Sequence, residues 1–382
     1  MPRNAKGSGT IRKRADGRWE GKYTLGVDPG TGKQVRKSVY GKTQKQVAEK
    51  LRRITAEVDQ GTHTEPSKLT VGAWLDVWLS EYTGHLKEGT LGLYTRHAKK
   101  IIAPKLGAVK LPMLTKAAVQ SFINGLQKSD APLCPKSVKN VHGVLHKALQ
   151  QAVELDYIRI NPATACKLPR VEKVEMQPLD GDALALFLDA IQGHPFEPAL
   201  IVDVFTGMRQ GELLGLTWDC VDFNAGTITL RRQLQLIGGQ YKFTSLKNDK
   251  TRRITPASLV IATLREQRRV QAEWRLLAGK AWQDGGFVFT NQLGEHLARQ
   301  TLYAAFKRIA ASIGLPATRF HDLRHTAAVT AIRAGMDIKS VQAMLGHHTA
   351  AFTLDQYGHV TQAMENENAA RMDAFIKSIT TR

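Results

Sequence analysis

The 382-residue sequence predicts a multidomain chain: a small α/β domain, an all-α domain and a mixed α+β, mainly helical domain. Three observations carry this. Basic residues and turn signals crowd the first 60 residues, and helical periodicity then runs unbroken to about Leu155. After a stretch rich in proline and charge, helices alternate with short strands. The expected boundaries are 1–64, 69–165 and 176–382, the last piece ending in a tail helix.

In the first piece, "GTIRKR", "RWEGKYTLGV" and "KQVRKSVY" read as short strands joined by turns at "ADG" and "DPGTG". "KTQKQVAEKLRRITAEVDQG" reads as a helix with Val47, Leu51, Ile54 and Val58 on one stripe and Gly61 at its end. This piece holds 15 Lys+Arg against 6 Asp+Glu, nearly half of the chain's excess charge. A small basic sheet backed by a helix suits a DNA groove. The competing reading is a protein-binding module kept soluble by its lysines.

"GTHTEPSKLT" reads as a linker. The second piece follows with helices at "VGAWLDVWLSEY", "KEGTLGLYTRHAKKII", "TKAAVQSFINGLQ" and "PKSVKNVHGVLHKALQQAVELD". "NPATACKLPRVEKVEMQPLD" marks the next boundary. Helices are then expected near 181–192 and 197–205, and strands at "TITLRRQLQLI", "QYKFTSL" and "TRRITP", with Gly238-Gly239 turning the first hairpin.

Composition narrows the function. Lys+Arg number 54 against 34 Asp+Glu, a formal charge of +20, so an anionic partner is expected, nucleic acid ahead of membrane. No apolar run approaches a membrane span, and "MPRNAKGSGTIRKR" lacks the apolar core of a signal peptide. Cys134, Cys166 and Cys220 form no C-x-x-C pair, which argues against a disulfide framework or a cysteine zinc site and fits a reducing cytoplasm. "GVDPGTGKQ" only partly matches a phosphate loop, because Val27 stands at its first glycine and Gln follows Lys33. A hairpin turn explains it better, and no ATP site is expected.

The chemistry-bearing residues are scattered. "TGMRQGELLGLTW" opens a helix in which Arg209 and Glu212 share a face, by itself an ordinary surface ion pair. "HDLRHTAAVTAIRAG" opens another, with His321 and Arg324 on one face at a helix N-terminus, a setting that suits an anion. His321 and His325 have the spacing of zinc ligands, but Asp322 stands where that motif needs Glu, and no third ligand is evident. "SLKNDKTRRIT" places Lys247 in a turn between strands, which alone reads as a solvated loop tip. "LGHHTAAFTLDQYGHV" ends a helix at Gly346-His347 and then carries one late tyrosine, Tyr357, which alone reads as a half-buried aromatic. His348 reads as a solvent-facing neighbour of His347.

Taken together, these residues suit attack of a phenol on a phosphodiester. A tyrosine with its ordinary pKa near ~10 attacks well only where cations stabilise its oxyanion. Two guanidinium groups neutralise the non-bridging oxygens of a five-coordinate phosphate. A lysine beside arginines can protonate the departing 5′-oxygen. His321 can accept the tyrosyl proton and His347 can bond the phosphate. The scheme needs no metal, nucleotide or other cofactor.

On these three motifs, in this order and with this His-to-Tyr interval, the sequence resembles the tyrosine recombinases, the phage and conjugative-transposon integrases. The resemblance extends along the whole chain. It implies that the basic N-terminus is an arm-type DNA-binding domain, the helical piece a core-binding domain, and residues 176–382 the catalytic domain. It implies that Arg209 and Arg324 bind phosphate, Glu212 supports Arg209, His321 and His347 complete the site, and Tyr357 is the nucleophile. Lys247 takes the place of the hairpin lysine, with Lys250 the alternative because Asn248 replaces the usual Thr. "AAFT" replaces a Ser/Thr-rich run before the nucleophile.

The family implies a 3′-phosphotyrosine, exchange through a Holliday junction in a homotetramer on double-stranded DNA with core and arm attachment sites, and an accessory DNA-bending or excision protein. It places the chain in a bacterial cytoplasm, on the nucleoid when DNA-bound. The tail "TQAMENENAARMDAFIKSI" reads as an amphipathic helix with Met364, Met372, Phe375 and Ile376 as apolar contacts for a neighbouring protomer. The alternatives are a type IB topoisomerase and a non-catalytic DNA-binding repressor built on this fold.

Overall fold

The computed structural model describes residues 10–27, 30–59, 68–172, 177–179, 181–246 and 250–346, and beyond them 349, 351, 353–354, 357, 372–373, 376–377 and 379–380. The chain divides into two compact units, Met1–Glu172 and Lys173–Arg382.

The first unit begins with an antiparallel meander of β1 (Thr10–Lys13), β2 (Trp19–Val27) and β3 (Gln34–Gly41). Val27 pairs with Gln34, so the segment resembling a phosphate loop joins two hairpin strands. Helix α1 (Gln44–Asp59) buries Val47 and Leu51 against the sheet, with Ile54 and Val58 half-buried on the same stripe. Glu20 is buried in the sheet because Arg12 Nε donates to it at 2.6 Å and the Tyr40 hydroxyl at 3.2 Å.

The helical part follows with α2 (Val71–Glu81), α3 (Glu88–His97), a π turn at Ala98–Ile102, α4 (Ala103–Leu106), α5 (Lys116–Lys128) and α6 (Pro135–Glu154). Thr70 caps α2 and Thr115 caps α5, each accepting from a backbone N–H in the first turn. Along α6, Val138, Val141, Leu145, Ala148, Leu149 and Ala152 are buried, a stripe at helical spacing. Trp74 of α2 is fully buried against it and donates its indole N–H to Ala148 O at 2.8 Å. Each large apolar side chain so buried contributes about 1.5–3 kcal/mol.

The second unit is mainly helical: α7 (Gly181–Ile191), α8 (Glu197–Thr206), α9 (Gln210–Leu214), α10 (Ser258–Ala278), α11 (Arg299–Ser312), α12 (Asp322–Arg333) and α13 (Ile338–Leu345). Its strands are β4 (Val221–Asp222), β5 (Thr227–Leu230), β6 (Arg232–Ile237), β7 (Gln240–Ser245) and β8 (Arg252–Ile254). Phe306 lies at the centre of the core, edge-on to Phe187 and Phe320 at 6.1 and 5.3 Å. Its core also includes Leu200 and Val202 of α8, Leu213 of α9 and Leu264 of α10.

One expectation changes here. "TITLRRQLQLI" is not a single strand. β5 pairs with β4 and β8, whereas β6 pairs with β7 in a separate hairpin, and the break falls at exposed Arg231. The first sheet serves the core, and β6 must leave it to pack on α9. Gly238 and Gly239 do turn the hairpin, both at positive φ.

Candidate active site

Gly207 ends α8 in the left-handed conformation, with φ of 61° and its N–H on Asp203 O at 2.8 Å. A Cβ there would stand 2.5 Å from Leu345 Cδ2 and 3.1 Å from Ala327 Cβ. Only glycine closes this turn, and the turn places Arg209 at the N-cap of α9. Glu212 then holds Arg209 twice, accepting its backbone N–H at 2.9 Å and its Nη1 at 2.8 Å. The surface-pair reading fails, because Glu212 is fully buried. The Arg209 side chain keeps 24% of its surface exposed and can meet an anion.

Helix α12 starts beyond a clamp in which Arg319 holds Asp322 through its backbone N–H at 2.8 Å and its Nη2 at 2.7 Å. His321 is at the N-cap with an exposed edge; partial desolvation, then Arg324 and Arg209, push its pKa below the ordinary value. Arg324 is buried and donates Nη1 to Gly207 O and Nη2 to Leu345 O, both at 2.6 Å. It thereby ties α12 to the turn before Arg209 and to the end of α13. Burial, with Arg209 and Arg252 beside it, lowers its pKa to about 9, still a cation at neutral pH.

Tyr357 is 1% exposed and packs among Val329, Ile332, Val341 and Leu345. Burial drives its pKa up to about 12 against the opposing pull of Arg324. The structure brings His325, not His321, to the tyrosyl oxygen: Nδ1 of His325 lies 2.6 Å from it. His325 falls one turn after His321, with the two rings 5.2 Å apart.

Sequence reasoning passed over two residues. Arg252 of β8 donates Nη1 and Nη2 to the Glu212 carboxylate at 3.0 and 2.5 Å and Nε to Met344 O at 3.0 Å. Gly346 makes room for it, at φ of 67°, since a Cβ there would lie 2.9 Å from Arg252 Cδ. The available signal was alternation, because Arg252 falls in register with Ile254, which is buried. Asp203 is the second. It is buried on α8 with Oδ1 unpartnered, and burial pushes its pKa well above the carboxylate range.

Arg209, Glu212, Arg252, His321, Arg324, His325 and Tyr357 are thus connected through α9, β8, α12 and the end of α13. Lys247 and His347, with neighbouring His348, lie outside the described residues, and Lys250 is exposed just before β8. Among the described residues no group of three or more His, Cys, Asp or Glu could hold a metal ion, and no helix is long and apolar enough to cross a membrane.

A small strand-and-helix module, a helical module and a mainly helical α+β unit define an integrase-like multidomain fold. Two family models agree: "Phage integrase family" matches residues 180–364, and "Phage integrase, N-terminal SAM-like domain" matches residues 70–127. A "Tyrosine recombinase XerC-like" protein of Caldanaerobacter subterraneus subsp. tengcongensis is 28% identical, over 92% of this chain and 95% of that one. An "Integrase" of Saccharopolyspora erythraea is 24% identical, over 98% of each. Two solved structures share the fold. The Tn1549 transposon integrase in complex with a circular intermediate DNA gives a TM-score of 0.66 at 22% identity, over 80% of this chain and 99% of that one. A lambda integrase tetramer bound to a Holliday junction gives 0.57 at 21%, over 91% and 97%. The chain belongs to the phage integrase family and is a tyrosine recombinase.

Proposed function

We propose that this protein cleaves and rejoins DNA strands at specific sites through a 3′-phosphotyrosine on Tyr357, integrating or excising a mobile element such as a phage or conjugative transposon. The supporting observation is that one helix, α12, carries Arg324 and the histidine bonded to Tyr357, while Arg324 itself is bonded to the turn that presents Arg209. Arg209 and Arg324 neutralise the non-bridging oxygens as the phenolate attacks, and Glu212 fixes Arg209. His347 bonds the phosphate, and His321, which the sequence alone makes the acceptor of the tyrosyl proton, stands at the N-cap of α12. Lys247, or Lys250, protonates the 5′-oxygen as the P–O5′ bond breaks. The freed 5′-hydroxyl attacks the partner duplex's phosphotyrosine, so the bond energy is retained and rejoining needs no ATP.

The partner is double-stranded DNA, bound at arm sites by residues 1–64 and at core sites by residues 69–165, with 176–382 as the catalytic domain. The working assembly is a homotetramer that passes through a Holliday junction. The test uses a duplex nicked just 3′ of the cleavage position, so that cleavage cannot reverse, with EDTA and without ATP. A covalent protein–DNA adduct on denaturing gels is expected with the wild type and not with Tyr357→Phe, at equal DNA affinity. Folded wild-type protein that binds DNA yet forms no adduct would instead support a binding-only role.

A further inference from the structure

We propose that His325 is the catalytic residue that takes the proton of Tyr357 as the phenol attacks; this rests on the reading of Tyr357 as the nucleophile. The tyrosyl oxygen is 2.6 Å from His325 Nδ1, and at 1% exposure the tyrosine has almost no contact with water to carry its proton away. The imidazole is a protein acceptor already at hydrogen-bond distance from this oxygen, on the same helix as Arg324. His321, at the exposed N-cap of α12, is not the group the tyrosine meets.

The surroundings keep His325 unprotonated at rest. Burial first, with His321 against a second proton and Arg324 and Arg319 as fixed cations, holds its pKa down to about 4 over the opposing pull of Asp322. The ring is therefore neutral at rest, with Nδ1 accepting from the tyrosyl hydroxyl and the ring proton on Nε2. A phosphodiester settling among Arg209 and Arg324 weakens the cationic field and raises the basicity of His325 as the reaction calls for it. The step balances. The Tyr357 O–H bond breaks and its proton moves to Nδ1, the Oη–P bond forms, the P–O5′ bond breaks, and its electron pair leaves on the 5′-oxygen.

The test measures the rate of adduct formation on the nicked duplex across pH 6–9 for wild type, His325→Ala, His325→Gln and His321→Ala. The expected result is a loss of about 100-fold in His325→Ala with DNA affinity retained. The gap should narrow toward pH 9, as hydroxide raises the small fraction of phenolate, and added imidazole should restore part of the rate. His321→Ala should not respond to imidazole. His325→Gln keeps a hydrogen-bond acceptor of similar size without the basicity, so it should fold and be as slow, which covers the case that the alanine variant does not fold. A glutamine variant as fast as wild type overturns the proposal. So does an alanine variant that cleaves at the wild-type rate or faster, since the contact is then a resting latch. A folded alanine variant that neither alkali nor imidazole helps overturns it too, in favour of a structural role. Absence of adduct in the wild type itself falls instead on the nucleophile assignment.

Discussion

Arg252 and Glu212 form a two-point pair, Nη1 on Oε1 at 3.0 Å and Nη2 on Oε2 at 2.5 Å, with the carboxylate fully shielded from solvent. The same carboxylate holds Arg209, and the same guanidinium holds Met344 O, two residues before Gly346. One buried ion pair therefore joins the segment presenting Arg209 to the segment leading toward His347.

Removing one partner of a buried pair leaves a charge uncompensated, at a cost of about 3–5 kcal/mol. Arg252→Ala should lower the free energy of unfolding by about 3 kcal/mol in urea titrations. Glu212→Gln should relieve part of that loss, so the double variant should lose clearly less than the sum of the two singles. Strictly additive losses would show that the pair is not coupled as its geometry indicates.

The pair also sets an acid limit. Burial alone would raise the Glu212 pKa, but the hydrogen bonds and charge of Arg252, followed by those of Arg209, bring it down from 4.5 to about 2. The folded value lies below the unfolded one, so this contribution is fully present above pH 4.5 and is lost as pH falls through about 2. It amounts to roughly 3 kcal/mol. Stability measured between pH 6 and 2 should fall more steeply in the wild type than in Glu212→Gln, and parallel curves would contradict the assignment.

What the sequence revealed follows the range of each interaction. The Arg209–Glu212 contact spans three residues and is legible as a helical spacing, as is the buried stripe Val138, Val141, Leu145, Ala148 on α6. Arg252–Glu212 spans 40 residues and His325–Tyr357 spans 32, and no periodicity records either. His325 was legible only as a failed zinc ligand, because its partner comes from another chain segment. The split at Arg231 was hidden for a related reason: two sheets share one apolar run, and only pairing partners distinguish them.

The lysine can be assigned by changing the leaving group. A 5′-thio leaving group departs without a proton, so a substrate carrying sulfur at the 5′-bridging position makes the general acid dispensable. Lys247→Ala should cut adduct formation on ordinary DNA by about 100-fold or more and recover on the sulfur substrate. Lys250→Ala, at an exposed position, should stay close to wild type on both. The reverse pattern would assign the role to Lys250.

The tail carries the last expectation. Met372 and Ile376 lie four residues apart in sequence, the spacing of one face in the expected tail helix, and within the single chain they are 58% and 45% exposed. Met364 and Phe375, the other apolar residues expected on that stripe, lie outside the described residues. A stripe of this kind gains most when a partner covers it, and each large side chain so buried is worth about 1.5–3 kcal/mol. A neighbouring protomer on DNA is the partner the tetramer reading supplies. Truncation after residue 360 retains Tyr357, so cleavage of an isolated half-site duplex should persist while the tetramer on paired sites is lost, as read by native gels or mass photometry. Full tetramer assembly by the truncated protein would place the tail on its own domain instead.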